Sequence, residues 1–169
     1  MIAAPTPQDR LAKLSEFAKL EFENSRDHAY SLARVTNNCA ASALNADVLV
    51  ADLMALFVGD DFRAGRGKGE YFIGNFRGAL HFRPELRDAY NQVQHAVAGV
   101  LLAYKGILYI GIAKYLETEE QDIKLYDATE PLGKSLSDDN YKTLGTRLYL
   151  TIADMDSINA QFFTRSRIA

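Results

Sequence analysis

The segment that most constrains the fold is AVAGVLLAYKGILYIGIA, residues 96–113, in which Lys105 is the only charge among eighteen residues. Eighteen residues is the lower end of what a helix needs to cross a bilayer, and a lysine near the middle of such a span costs about 2.5–3.5 kcal/mol on insertion. The segment therefore reads as a buried helical hairpin that turns at Lys105-Gly106. Insertion into a membrane is the competing use of the same residues.

A hairpin this apolar needs other helices to cover it, and the chain supplies them. Leu11, Leu14, Phe17 and Ala18 recur at helical spacing behind Pro5 and Pro7, which suit a helix entrance. A second helical stretch covers 26–43, with Ala29, Leu32, Ala33, Ala40 and Ala43 on small or apolar positions. The apolar run 48–58 suits a helix or a buried strand, and its length favours helix. Pro84 suits the first turn of a helix, 88–104 has strong helical character, and Leu144, Leu148, Ile152, Met155 and Ile158 make an amphipathic helix within 137–163.

Residues 58–80 differ. They are rich in glycine and carry Arg63, Arg66, Lys68 and Arg77, so this region is expected to be a basic loop. Tyr71, Phe72, Ile73 and Phe76 within it suit a brief strand or an anchor. The expected fold is mainly α: a single-domain helical bundle spanning 1–169, with a central buried hairpin, a Gly-rich loop and a small β element near Tyr71.

Composition narrows the function classes. A net charge of -3 gives no global basic field for a nucleic-acid backbone. One cysteine makes neither an internal disulfide nor a multi-cysteine zinc cluster. The start, MIAAPTPQDRLAKLSE, lacks the pattern of a secretory signal, which leads to an expectation of cytoplasmic synthesis, compatible with export by a dedicated secretion machine.

The candidate chemistry lies on the helix that holds His95. At 100° per residue, Asp88, Asn91, Gln92, His95 and Gly99 fall on one side, and Gly99 leaves room for an approach to the ring. If the chain reverses at Lys105-Gly106, antiparallel pairing sets Glu117 opposite Val93 and Asp122 opposite Asp88. His95 then lies within a turn or two of Glu117, Glu119 or Glu120. A histidine held by a carboxylate is oriented and made more basic, as a general base requires. No metal site is expected, because one histidine and one carboxylate fall short of three or four ligands. The competing account is structural: Asn91, Gln92 and His95 cross-link helices, while the acidic run is a solvated face beside Lys114 and Lys124.

The run Asn91-Gln92-Val93-Gln94-His95, a following Glu, Asp122-Ile123-Lys124-Leu125 and Pro131-Leu132-Gly133 together resemble a little-characterised bacterial helical domain family. Its members carry an NQVxH motif, a Glu, a D-I-x-L segment and a P-L-G turn. The pattern also looks distantly like helical domains at the ends of polymorphic toxins. The resemblance covers about a quarter of the chain, and Ala96 departs from the residue usual after the histidine. It implies a shared helical fold and points to Asn91, Gln92, His95, Asp122 and Gly133; which of Glu117, Glu119 and Glu120 matches the family's Glu stays open.

Two other features invite chemistry. An Asn cap at 37 or 38 would set Cys39 at a helix N-terminus and lower its thiol pKa, as in cysteine amidases, although a small buried residue in an alanine-rich helix is the plainer account. The loop AGRGKGE lacks phosphate-loop spacing, yet Arg63, Arg66 and Lys68 could hold a phosphate, a carboxylate or an acidic partner, with Glu70 alongside.

Three functions follow as expectations. The first is a small hydrolase-like effector. It would use His95 as base with one of Glu117, Glu119, Glu120 or Asp122, and Asn91, Gln92, Arg63, Arg66 and Lys68 would bind an anionic small molecule. No cofactor is assigned to it. The second is a non-catalytic helical protein that binds a protein partner. The third is a membrane-active protein that inserts 96–113.

Overall fold

The computed structural model describes residues 5–61, 66–68, 70–74, 79–88, 91–156 and 158. Local sequence starts the first three helices. Helix α1 (Pro7–Glu23) opens on a capping box: the Thr6 hydroxyl accepts the Asp9 N–H, and the Asp9 carboxylate accepts the Thr6 N–H. Asp27 caps α2 (His28–Ser42) by accepting the Tyr30 N–H, and Asn45 caps α3 (Ala46–Leu53) by accepting the Val48 N–H. From α3 the chain passes into a π-helical turn, Met54–Val58, that stops at Gly59 with φ of 89°. The apolar run 48–58 is thus helical throughout, and a strand is excluded.

A two-stranded antiparallel ribbon follows, β1 (Asp60–Asp61) with β2 (Arg66–Lys68). The small β element therefore precedes Tyr71. Tyr71 and Ile73 act as anchors: both pack on the core, and the Ile73 N–H donates to the Leu56 carbonyl. Phe76 and Arg77 lie outside the described residues.

The second half comprises a short 3-10 turn at Pro84–Leu86, α4 (Gln92–Lys105), α5 (Ile107–Leu116), α6 (Glu120–Lys134) and α7 (Leu144–Ile152). Helix α4 is the hub of the bundle. Its Val93, Ala96, Val97, Val100 and Leu101 are all buried, and it packs along α6 and the Met54–Val58 turn. Helix α2 packs against α1 and α7 and completes the same core. The molecule is mainly α, as the periodicity implies.

The chain does turn at Lys105-Gly106, where Gly106 takes φ of 146°. The burial, however, falls on α4 alone. In α5 only Ile110 is buried, while Ile107, Leu108, Tyr109, Ile112, Tyr115 and Leu116 are exposed. The apolar stretch is two helices, and among the described residues no helix is long and apolar enough to cross a membrane. Insertion of 96–113 as one span loses its structural basis.

The antiparallel register is also corrected. The partner of α4 is α6, and the two run parallel: His95 meets Asp122 near their starts, and Val100 and Tyr104 meet Gly133 near their ends. Helix α5 carries the chain back between them, which frees α6 to run in the same direction as α4. Pro131-Leu132-Gly133 is not a turn but part of α6. A proline inside a helix costs about 3 kcal/mol in an isolated segment. The close seating of Gly133 on α4 holds the last turn in place. The last amphipathic helix is shorter than its spacing suggests. Helix α7 stops at Ile152, where Ala153 bridges to Phe82; helical backbone resumes at 155–156, with Met155 exposed and Ile158 buried in the core.

Candidate functional site

The first turn of α4 is pinned from three sides. Asn91 sits in the left-handed region with φ of 48°, and its carbonyl accepts the His95 N–H at 2.9 Å. Gln92 is fully buried and its Nε2 donates to the Leu86 carbonyl at 2.9 Å. The Gln94 Nε2 donates to the Phe57 carbonyl at 3.0 Å. Asn91 and Gln92, expected as binding residues, therefore fix the helix that carries His95. Left-handed backbone is costly for most side chains, and Asn is among the few that take it readily.

The parallel pairing of α4 and α6 then presents His95 to Asp122. The ring Nδ1 lies 2.6 Å from Asp122 Oδ1, with the histidine side chain 18% and the aspartate side chain 6% exposed. The two atoms are at ion-pair distance, and no other group hydrogen-bonds to either of them. Burial raises the Asp122 carboxyl above its ordinary range. His95 opposes that shift, while Asp88 and Glu117 add to it. Tyr126, one turn further along α6, lays its ring against the imidazole at 5.6 Å between centroids. Burial, with the charges of Glu117 and Asp122, pushes its phenol up to about 12.

Glu117 is the third member. It follows directly on α5, and one carboxylate oxygen accepts the N–H groups of Thr118 and Glu119. His95, Glu117 and Asp122 each bring a ligand-type atom to within 4.8 Å of the others. The sequence expectation of no metal rested on too few donors, and the fold supplies the third.

Among the acidic candidates, the structure separates Glu117 and Asp122 from the rest. Glu119 occupies the exposed N-cap position of α6, and Glu120 is exposed and paired with Lys124 at 2.6 Å. Lys114 is held by Asp127 and Glu130. The outer part of the acidic run is thus a solvated, ion-paired face. Gly99 does not leave room beside the imidazole: a Cβ there would lie 2.0 Å from the Thr129 hydroxyl, so the space is taken by α6. Tyr126 was missed because only the parallel register brings it to His95.

Cys39 falls in the last turn of α2, fully buried. Burial pushes its thiol far above the usual range, which removes it as a nucleophile. His28 is structural, its Nδ1 accepting the Leu80 N–H at 3.1 Å. Arg66 and Lys68 lie on β2, Glu70 is exposed on the turn after it, and Arg63 lies outside the described residues. A groove lined by Arg10, Lys13, Phe17 and Asn38 runs between α1 and α2, and none of its residues belongs to the His95 cluster. No protein family, characterised protein or solved structure matches the chain.

Proposed function

We propose that the chain is a small hydrolase whose reaction centre is His95 with Asp122 and Glu117. The observation that carries this reading is a buried carboxylate set 2.6 Å from an imidazole nitrogen with no other partner for either atom. In the reaction the imidazole takes a proton from an attacking water molecule. Asp122 orients the ring and stabilises the imidazolium that forms. The alignment tightens on substrate binding, as catalytic hydrogen bonds commonly do.

The substrate class we propose is anionic. Gln94, the residue before His95, tethers Phe57, and the chain leaves that tether for the β1–β2 ribbon that carries Arg66 and Lys68. The positive charges of Arg66 and Lys68 suit a phosphate or carboxylate group. The resemblance to toxin-borne helical domains supports a bacterial effector setting, delivered by a secretion machine.

The test is turnover of a panel of activated esters, phosphodiesters and amides by the purified chain. At least one class should be hydrolysed, and His95→Gln should lower kcat/KM by about 100-fold or more with an unchanged circular dichroism spectrum. Equal rates for wild type and His95→Gln would overturn the reading.

A second reading, a protein-binding module, is favoured by the exposed apolar side of α5, where Tyr115 is 88% and Ile107 73% exposed. It predicts that Ile112→Asp abolishes a stable complex while hydrolysis is unaffected.

A further inference from the structure

The way His95 and Asp122 meet is more specific than a proton-sharing pair requires. Their facing atoms, Nδ1 and Oδ1, are buried and 2.6 Å apart, and neither has any other hydrogen-bond partner. Asp122 is 4% exposed, and among the described residues neither it nor Glu117 is paired with a lysine or arginine. A carboxylate this deeply buried, with only an imidazole set against it, is costly unless a cation compensates it. The third donor, Glu117, arrives from a different element, and the three ligand-type atoms converge within 4.8 Å.

We propose that His95, Glu117 and Asp122 bind one divalent first-row transition-metal ion, of the zinc or manganese class, in a three-donor site with open positions for water.

The donor chemistry selects this class. One imidazole and two carboxylates suit zinc, manganese or iron(II), whereas calcium and magnesium prefer all-oxygen sites and copper(I) prefers sulfur. The spacing is also suitable. With bonds of about 2.0–2.2 Å, neighbouring ligand atoms on one ion lie about 3.0–3.4 Å apart, so the Nδ1–Oδ1 pair at 2.6 Å opens by about 0.4–0.8 Å to admit it. Tyr126 against the imidazole face limits ring rotation and holds the donor towards the site. Three protein donors leave coordination positions for water, and a bound ion of this class makes that water a nucleophile near neutral pH.

The inference rests on the reading of this cluster as the reaction centre and refines it, since a cation and a proton cannot both occupy the space between Nδ1 and Oδ1. Metal binding is read without substrate, so the two fail separately. Untagged full-length chain is stripped with chelator and titrated with zinc by calorimetry, and with cobalt(II) by visible absorption. The expected result is one ion per chain, and a cobalt spectrum of low-coordinate type. His95→Gln and Asp122→Asn should each weaken binding by at least 100-fold, while the exposed, ion-paired Glu120→Gln should bind as wild type does. If a variant loses its fold by circular dichroism, nitrogen hyperfine coupling from one imidazole to bound manganese(II) in the wild type supplies the same evidence. No binding at millimolar zinc, or binding unchanged in both variants, overturns the site. Hydrolysis that persists in excess chelator but is lost in His95→Gln also overturns it and leaves the general-base reading standing. Tight binding with no hydrolysis of any substrate supports the site and removes the hydrolase.

Discussion

Gly133 lies so close to Val100 that a Cβ on the glycine would sit 2.1 Å from the valine carbonyl oxygen. Backbone cannot yield as a flexible side chain can, so Gly133→Ala must push α6 away from α4. We expect a loss of about 1–3 kcal/mol in urea unfolding, at the upper end of overpacking effects. A displaced α6 also moves Asp122, so the His95 cluster should be disturbed from a distance. Gly111 is the control: nothing lies within 4 Å of its would-be Cβ, and it is mid-helix and exposed. Gly111→Ala should therefore stabilise the protein by about 0.5–1 kcal/mol.

Asp122→Asn should raise the melting temperature of the metal-free protein at pH 7. The folded-state pKa of Asp122 lies above its ordinary value, with burial as the leading cause. A raised carboxyl favours folding below its unfolded pKa, and that contribution is lost as pH rises through the folded pKa. At neutral pH the ionised group is thus a net cost, which the neutral amide avoids. The gain over wild type should shrink as the pH falls towards the ordinary aspartate range. Thermal scans from pH 3 to pH 8 check the sign, and an Asn variant less stable than wild type at pH 7 contradicts it.

The ion pair between Arg10 and Asp52 should matter more to stability than any surface pair. The guanidinium reaches both carboxylate oxygens at 3.1 and 3.0 Å, and Asp52 is fully buried. Arg10→Met deprives a buried carboxylate of its bidentate partner, and the expected loss is about 3–5 kcal/mol in denaturant unfolding. Lys124→Met, which breaks the exposed pair with Glu120, should change stability by less than about 0.5 kcal/mol.

Cys39 should be inert in the native protein. Its side chain is fully buried in α2 and its thiol is held far above the usual range. A thiol reagent at pH 8 should label the chain only after denaturant is added, and prompt native labelling would contradict the burial.

Much of this molecule was legible in its sequence, because helix periodicity and caps are local. The entrance of α1 behind Pro5 and Pro7, the break at Gly106 and the apolar side of α4 each state their role within a few residues. Direction was not legible. An equal-rise hairpin places Asp122 opposite Asp88, whereas the chain uses α5 to cross over and sets α6 parallel to α4. Asp122, one of the four carboxylates offered to His95, reaches it through the parallel register, which brings the starts of the two helices together. The same register error hid Tyr126 and misread Gly99, whose free space belongs to Thr129. Met155 continued a spacing that the bridge from Ala153 to Phe82 cuts short, a long-range contact that no local window contains.

Helix α5 gives the bundle a single buried side chain, Ile110, although it joins the two halves of the site. Its length sets where Glu117 arrives, while its outward residues leave the core untouched. Across descendants of this sequence, α4 and α6 are bound to change together, each accommodating the other's glycines. The outer face of α5 can drift, acquire a new partner or lose an old one without altering the chemistry beneath it. One gene can thus keep its buried cluster while its outer surface changes.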